Sequence, residues 1–226
     1  MEPPHPAFAA AIERARAFRA YVYPWPDLEG DLAGAGREAL RLIGYGSLVH
    51  AGSARRTLSS EHRLPVIVAG ARRVFNYAMD PIPERYGPPR RPAARAALNA
   101  RVTYRSDDLL NGVLTHVPLG EIAALRTRET GYDLVPVPYA PWGAPTGDPD
   151  VAYLLEAPEG VARGGRVHTR SDIEPHPAYY ALCRAGAASL GEPFLSFWLD
   201  STFLADGVTS ARDWERSAAA PVQEGG

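Results

Sequence analysis

Between Leu40 and Glu156 the chain runs mostly as short β-type segments separated by turn clusters, with one short helical stretch among them, while helical periodicity dominates its two ends. About six strands in the middle with helices around them make an α+β fold with one core. The segments are Leu40–Tyr45, Val66–Met79, Leu98–Tyr104, Leu110–Val117, Tyr132–Tyr139 and Val151–Glu156. Ser106-Asp107-Asp108 reads as the turn of a hairpin between the third and fourth. Pro136 and Pro138 put the fifth on a sheet edge or at a bulge, because proline has no N–H for the ladder. Residues 6–22 carry Phe8, Ile12, Ala15, Phe18 and Val22 at steps of three and four, the pattern of an amphipathic helix. A Pro/Gly-rich connector, Pro24–Gly36, comes next. Pro118–Glu129 reads as a short helix, and 176–190, 192–203 and 210–217 as three more. Residues 80–96, dense in Pro and Arg, and residues 140–150 read as exposed loops. Without a repeat, a heptad run or a linker, residues 1–226 form a single domain. It has an N-terminal helical extension (1–37), a core (38–156), C-terminal helices (175–217) and a frayed tail (218–226).

Composition narrows the chemistry. All 24 basic residues are Arg, and without lysine there is no Schiff-base or pyridoxal chemistry and no P-loop. Cys183 is the only cysteine, which leaves no internal disulfide and no CxxC metal or redox pair. A formal net charge of −2 provides no basic field for nucleic acid. No window approaches 18 uncharged apolar residues, so no membrane span is expected. Met1-Glu2-Pro3-Pro4 lacks the basic start and apolar stretch of a secretory signal, and a cytoplasmic location is expected.

Common site patterns are absent. Gly44-Tyr45-Gly46-Ser47 opens like a dinucleotide fingerprint, but Val49 stands where G-x-G-x-x-G needs glycine. Ser189 is not in a G-x-S-x-G elbow and reads as helix packing. The six histidines show no metal-ligand spacing, and His168 and His176, around Asp172 and Glu174, read as a solvated turn; no metal is expected. Two distant features remain. Gly44 and Gly46 lack Cβ atoms, so the turn after the first strand can bend tightly and bring its N–H groups to an anion, although a purely structural turn needs the same residues. Glu129 falls on the same helical face as Ile122 and Leu125, at the negative end of the helix dipole. Burial and dipole would both raise its pKa toward the range of a general base. The bland reading is that it pairs with Arg126 or Arg128, or points to water.

In order along the chain, Tyr45-Gly46-Ser47-Leu48, Arg72-Arg73-Val74-Phe75-Asn76, Leu98-Asn99, Asn111-Gly112-Val113-Leu114 and Arg128-Glu129-Thr130-Gly131-Tyr132 resemble the signatures of the gamma-glutamylcyclotransferase superfamily. The resemblance covers roughly residues 40–139 and, more loosely, Thr202–Gly207. It implies a small mixed β-barrel of about six strands surrounded by helices, with a cavity floored by the Y-G-S turn. It implies Glu129 as the catalytic glutamate, Tyr45, Gly46, Ser47 and Leu48 as the substrate-binding turn, and Tyr132 as an aromatic at the pocket. The implied enzyme, of lyase or acyltransferase type, frees 5-oxoproline and an amine from a γ-glutamyl amide and needs no cofactor. The turn reads Y-G-S-L rather than Y-G-S-N, which is more similar to the glutathione-acting, ChaC-like branch. The alternative is a non-catalytic member of the fold, a small-molecule-binding or interaction module whose proline-laden loops cover the cavity or meet a partner.

Overall fold

The computed structural model describes residues 7–143 and 148–219. Its strands are β1 (Ala39–Gly44), β2 (Arg63–Ala69), β3 (Ala71–Ala78), β4 (Ala94–Val102), β5 (Leu109–Pro118), β6 (Asp133–Pro141) and β7 (Asp150–Glu156). Four two-residue strands complete the set: β8 (Ala162–Arg163), β9 (Arg166–Val167), β10 (Glu174–Pro175) and β11 (Thr202–Phe203). The helices are α1 (Ala7–Arg16), α2 (Leu28–Gly34), α3 (Ala51–Ala54), α4 (Ile122–Arg128), α5 (Pro177–Ala188), α6 (Glu192–Asp200) and α7 (Ala211–Ala219). The mixed α+β composition is as the sequence predicts, with the strands divided differently.

Gly70 makes that division. It sits at φ +84°, and a Cβ there would lie 3.1 Å from the Tyr104 Cα, so the Val66–Met79 segment breaks into β2 and β3 at a residue only glycine suits. β2 stays in a sheet ordered β1-β5-β2-β6-β7, which curls until β7 meets β1 in a parallel bridge between Leu42 and Tyr153. β3 leaves for a second sheet, β10-β4-β3-β11. The single set of about six strands is therefore two sheets packed together. The expected hairpin around Ser106-Asp107-Asp108 is absent for the same reason: β4 pairs with β3 and β10, and β5 with β1 and β2. The two crossing points are stitched to each other. Gly70 N–H donates to the Asp108 carbonyl (2.8 Å), and Thr103 and Tyr104 N–H donate to the Gly70 carbonyl (2.8 and 2.9 Å).

Pro136 and Pro138 sit in β6 without loss of a ladder bond. Leu134 exchanges backbone hydrogen bonds with Tyr21, so its N–H points away from β7, and by strand alternation so would those of residues 136 and 138. β2 joins that side only from Tyr139 onward. The same Tyr21 bridge shortens the N-terminal helix. α1 stops at Arg16, the chain runs extended to reach Leu134, and Phe18 and Val22 are exposed instead of completing the apolar stripe. α1 still buries Phe8 and Ile12 against Ala69 and Ala140. The Pro24–Gly36 connector contains α2, whose Leu28 and Leu32 join Trp25 in the main core. At the other end, the expected helix 192–203 stops at Asp200, because Thr202 and Phe203 pair in parallel with Arg73 and Val74 of β3. The expected loop 140–150 lies partly outside the described residues, as does the tail beyond Ala219, where α7 ends.

The second sheet carries one irregularity. Between Val74 and Tyr77 the β3–β4 register shifts, with two residues of β3 facing one of β4. Such a bulge re-aims the next side chain, which here is Tyr77.

Candidate active site

β1 ends at Gly44 and hands the chain to the turn Tyr45–Leu48. Neither Gly44 nor Gly46 takes a positive φ, so glycine is present for room rather than for bending. A Cβ on Gly44 would lie 2.5 Å from the Leu48 Cβ, and one on Gly46 2.7 Å from the Tyr179 Oη. Val49 N–H closes the turn onto the Gly46 carbonyl at 2.9 Å. The N–H groups of Gly46, Ser47 and Leu48 donate to no acceptor among the described residues. Three successive amides without an acceptor beside a cavity are a feature that can take up an anion. Tyr45 serves as wall and prop: its ring is buried, its phenol donates to the Leu155 carbonyl, and its own carbonyl accepts from Arg73 Nη1 at 3.2 Å. Leu48 packs beneath Gly44, and its carbonyl accepts from Arg63 Nη2 at 2.8 Å.

Glu129 comes after the last turn of α4, which buries Ile122 and Leu125, and its N–H donates to the Leu125 carbonyl at 2.9 Å. Its carboxylate is paired with Arg128, Nε to Oε1 at 2.8 Å, whereas Arg126 turns away to Glu29. Arg128 does more than pair. Its Nη1 donates to the Ser53 carbonyl (2.8 Å) and Thr57 Oγ1 (3.2 Å), and its Nη2 to Ser47 Oγ and Ser53 Oγ (both 3.1 Å). One guanidinium thus ties the carboxylate, the turn and α3 into a fixed arrangement. Only 15% of the Glu129 side chain and 12% of the Arg128 side chain is exposed. Burial pushes the Glu129 pKa upward, while the charge and hydrogen bond of Arg128 pull against that shift without cancelling it.

The turn and the carboxylate face the same hollow. A chamber of about 360 Å³ adjoins the site, and a recess of about 30 Å³ lies along the turn. Ser47, Glu129, Tyr132 and Tyr179 border both. One wall is a stack of rings: Tyr77 lies on Tyr132 at 4.5 Å between centroids, and His168 on Tyr77 at 5.0 Å. The bulge in β3 aims Tyr77 here, and its hydroxyl donates to the Thr130 carbonyl at 2.9 Å. Tyr132 is fixed by its own hydroxyl, which donates to the Leu98 carbonyl at 3.1 Å. Part of the Pro/Arg-rich stretch is not merely solvated: Pro81, Pro83, Arg85 and Tyr86 line the chamber mouth.

Of the residues singled out from sequence, Gly46, Ser47, Leu48, Tyr45, Tyr132 and Glu129 all border the recess. Sequence reasoning missed Arg128 as a linker, Tyr179 of α5, and Tyr77 and Tyr86. The adjacency of Arg128 to Glu129 was a usable signal, whereas nothing separates Tyr179 from the neighbouring core Tyr180. His168 belongs to the ring stack, and His176 precedes α5 with Nε2 3.3 Å from the Gly87 carbonyl. No group of three or more His, Cys, Asp and Glu side chains suited to a metal occurs among the described residues. No helix among them is long and apolar enough to cross a membrane.

No family model and no curated protein matches the chain. Solved structures do. A gamma-glutamyl cyclotransferase superposes with a TM-score of 0.53 at 13% identity, over 71% of this chain and 85% of that one. The crystal structure of the uncharacterized protein loc79017 from Homo sapiens gives 0.52 at 14% identity, over 72% and 87%. YkqA from Bacillus subtilis gives 0.49 at 15% identity, over 74% of this chain and 55% of YkqA, so the chain spans about half of that protein. At such identities the likeness is one of fold.

Proposed function

We propose, from a fold shared with gamma-glutamyl cyclotransferase, that this chain cleaves a γ-glutamyl amide by cyclising its glutamyl end. The substrate's own α-amine attacks its γ-carbonyl carbon. A C–N bond closes the five-membered lactam, the original amide C–N bond breaks, and 5-oxoproline and a free amine leave. The nucleophile is inside the substrate, so the protein has two tasks, to fold the glutamyl chain and to move a proton.

Glu129 suits the second task. A carboxylate with an upward-shifted pKa can take a proton from the α-ammonium and return it to the departing amine, which contributes about 10²–10⁴-fold. The recess suits the first. Free amides of Gly46, Ser47 and Leu48 can hold an anionic group while Tyr132 and Tyr179 confine the aliphatic stem. Orienting an intramolecular attack is worth effective molarities on the order of 10⁵–10⁸ M. The larger chamber is left for the leaving amine, and the Y-G-S-L turn favours glutathione as the first substrate to try.

The observation that carries this reading is that Glu129 and the unpaired turn amides border one recess. The test is incubation with glutathione and a panel of γ-glutamyl amino acids, with 5-oxoproline detected by mass. Glu129→Gln is expected to keep the fold and lose the product. A Glu129→Gln protein that turns over like wild type removes Glu129 from the role of base. One feature favours a second reading, a binding module without chemistry: Glu129 is held in an ion pair with Arg128. Under that reading γ-glutamyl compounds bind and are recovered intact from wild type.

A further inference from the structure

Arg73 takes no part in the cyclisation, yet it occupies an expensive setting. The side chain is fully buried, and it meets only neutral acceptors. Nε donates to Thr202 Oγ1 (2.7 Å), Nη1 to the carbonyls of Tyr45 (3.2 Å) and Asn111 (2.7 Å), and Nη2 to Asn111 Oδ1 (2.8 Å) and Ser201 Oγ (3.1 Å). The Trp198 ring lies 5.1 Å from the guanidinium carbon. A buried arginine ordinarily keeps a carboxylate, because a charge removed from water without a countercharge is destabilising. Burial pushes the Arg73 guanidinium down to about 9, so it remains cationic at neutral pH.

Its contact with Tyr45 gives the charge a direction. The Tyr45–Gly46 peptide is trans, so a carbonyl drawn toward Arg73 turns the Gly46 N–H to the opposite side. That amide has no acceptor, like those of Ser47 and Leu48 after it, and Gly46, Ser47 and Leu48 border the recess. A hydrogen bond from a cation polarises the peptide that receives it and strengthens the donor at its far end. The cation, the polarised peptide and the free amides therefore form one positive layer under the recess.

We propose that Arg73 is a positioning residue whose buried charge makes the Gly46–Leu48 turn the seat of the substrate's α-carboxylate, a permanent anion that completes a pair the folded protein leaves open. The proposal rests on the γ-glutamyl reading and selects between the two anions the turn could hold. A transient oxyanion would leave Arg73 uncompensated in the bound ground state, whereas a carboxylate compensates it from the moment of binding.

The test compares 5-oxo-L-proline with 5-oxo-L-prolinamide, which differ at that carboxylate alone, by calorimetric titration of the full chain. Wild type is expected to bind the acid at least about tenfold more tightly than the amide. Arg73→Met leaves five acceptors unpaired and can fail to fold, so Asn111→Asp is the deciding variant. It sets a carboxylate against Arg73 Nη2 and cancels the charge, at the cost of the hydrogen bond that Asn111 Nδ2 donates to the Phe194 carbonyl (2.8 Å), so circular dichroism of the variant accompanies the titration. The acid-to-amide ratio is expected to fall to about one, with amide affinity within about twofold of wild type. Arg73→Lys, which keeps a charge with fewer donors, is expected to retain part of the preference. Equal binding of acid and amide by wild type, or a folded Asn111→Asp protein with the full preference, overturns the role of Arg73. Binding of neither compound by wild type overturns the γ-glutamyl reading itself, and the carboxylate seat with it.

Discussion

Glu129 and Glu156 are both acids with little exposure, and burial raises the pKa of each, to about 7 for Glu156. Glu129 caps a short helix, is tied through Arg128 to a glycine turn and borders both hollows. Glu156 ends β7 opposite Asp133 of β6, and its Oε1 accepts the Val102 N–H of β4 at 2.9 Å. It clips one sheet to the other and borders neither hollow. A perturbed carboxylate is therefore not a site by itself. Access to a hollow, a charged partner that fixes orientation and free donors nearby separate Glu129 from an acid that only bridges two sheets.

That contrast is sharpest in paired variants. Glu129→Gln is expected to lower 5-oxoproline release by about 10²–10⁴-fold or more, and Glu156→Gln to leave it within about twofold. Similar losses from both would make the activity a readout of fold integrity, and circular dichroism of the two proteins would show it. The turn comes next. A methyl on Gly46 must displace the Tyr179 phenol or fill the recess, so Gly46→Ala is expected to reduce kcat/KM by about 10–100-fold with its melting temperature little changed. A wild-type kcat/KM in that variant would mean that substrate does not enter the recess.

Arg128 has a smaller and more informative effect. Its charge opposes the rise of the Glu129 pKa, so Arg128→Met lets the carboxyl rise further and hold its proton to higher pH. A base must be ionised to act, so the acid limb of the kcat/KM profile is expected to move to higher pH, with a fall of about tenfold in rate below neutrality. Arg128→Lys keeps the charge, and its limb is expected to stay near that of wild type. A purely structural Arg128 would lower the rate equally at every pH in both variants.

The sequence carries the parts of this arrangement that are local. The strand before the turn is apolar but for Arg41, and α4 places Glu129 by helical spacing alone, so both features of the recess can be read from contiguous residues. Pairing partners cannot be read that way. Leu98–Tyr104 and Leu110–Val117 look like hairpin neighbours, but β4 and β5 are claimed by strands elsewhere in the chain, and the one local sign is Gly70. The Arg72-Arg73-Val74-Phe75 run is opaque for a related reason. Arg73, Val74 and Phe75 are all buried while Arg72 reaches the Gly207 carbonyl at the rim, so no alternation says which arginine goes inside. What decides it is a cage of acceptors drawn from residues 45, 111, 201 and 202. A helix ending at Asp200 rather than at residue 203 belongs to that cage too, because Thr202 must enter the sheet to meet Arg73.

The least visible of the expected effects separates the two acids by stability rather than by rate. Glu156 titrates near the ordinary glutamate value of 4.5 when unfolded and at about 7 when folded. Between those values the folded protein holds more protons than the unfolded chain, so stability falls as pH rises through that window and stays low above it. A glutamine at 156 keeps an acceptor for the Val102 N–H and has no proton to lose. Glu156→Gln is therefore expected to match wild type below about pH 4.5 and to exceed it by about 1–3 kcal/mol at pH 8, measured by urea unfolding across that range. An equal pH slope in variant and wild type would place the source of the slope in another group, with Glu129 next in line. The double variant with Glu129→Gln would then flatten the curve, and the distinction between a clip and a base would rest on catalysis alone.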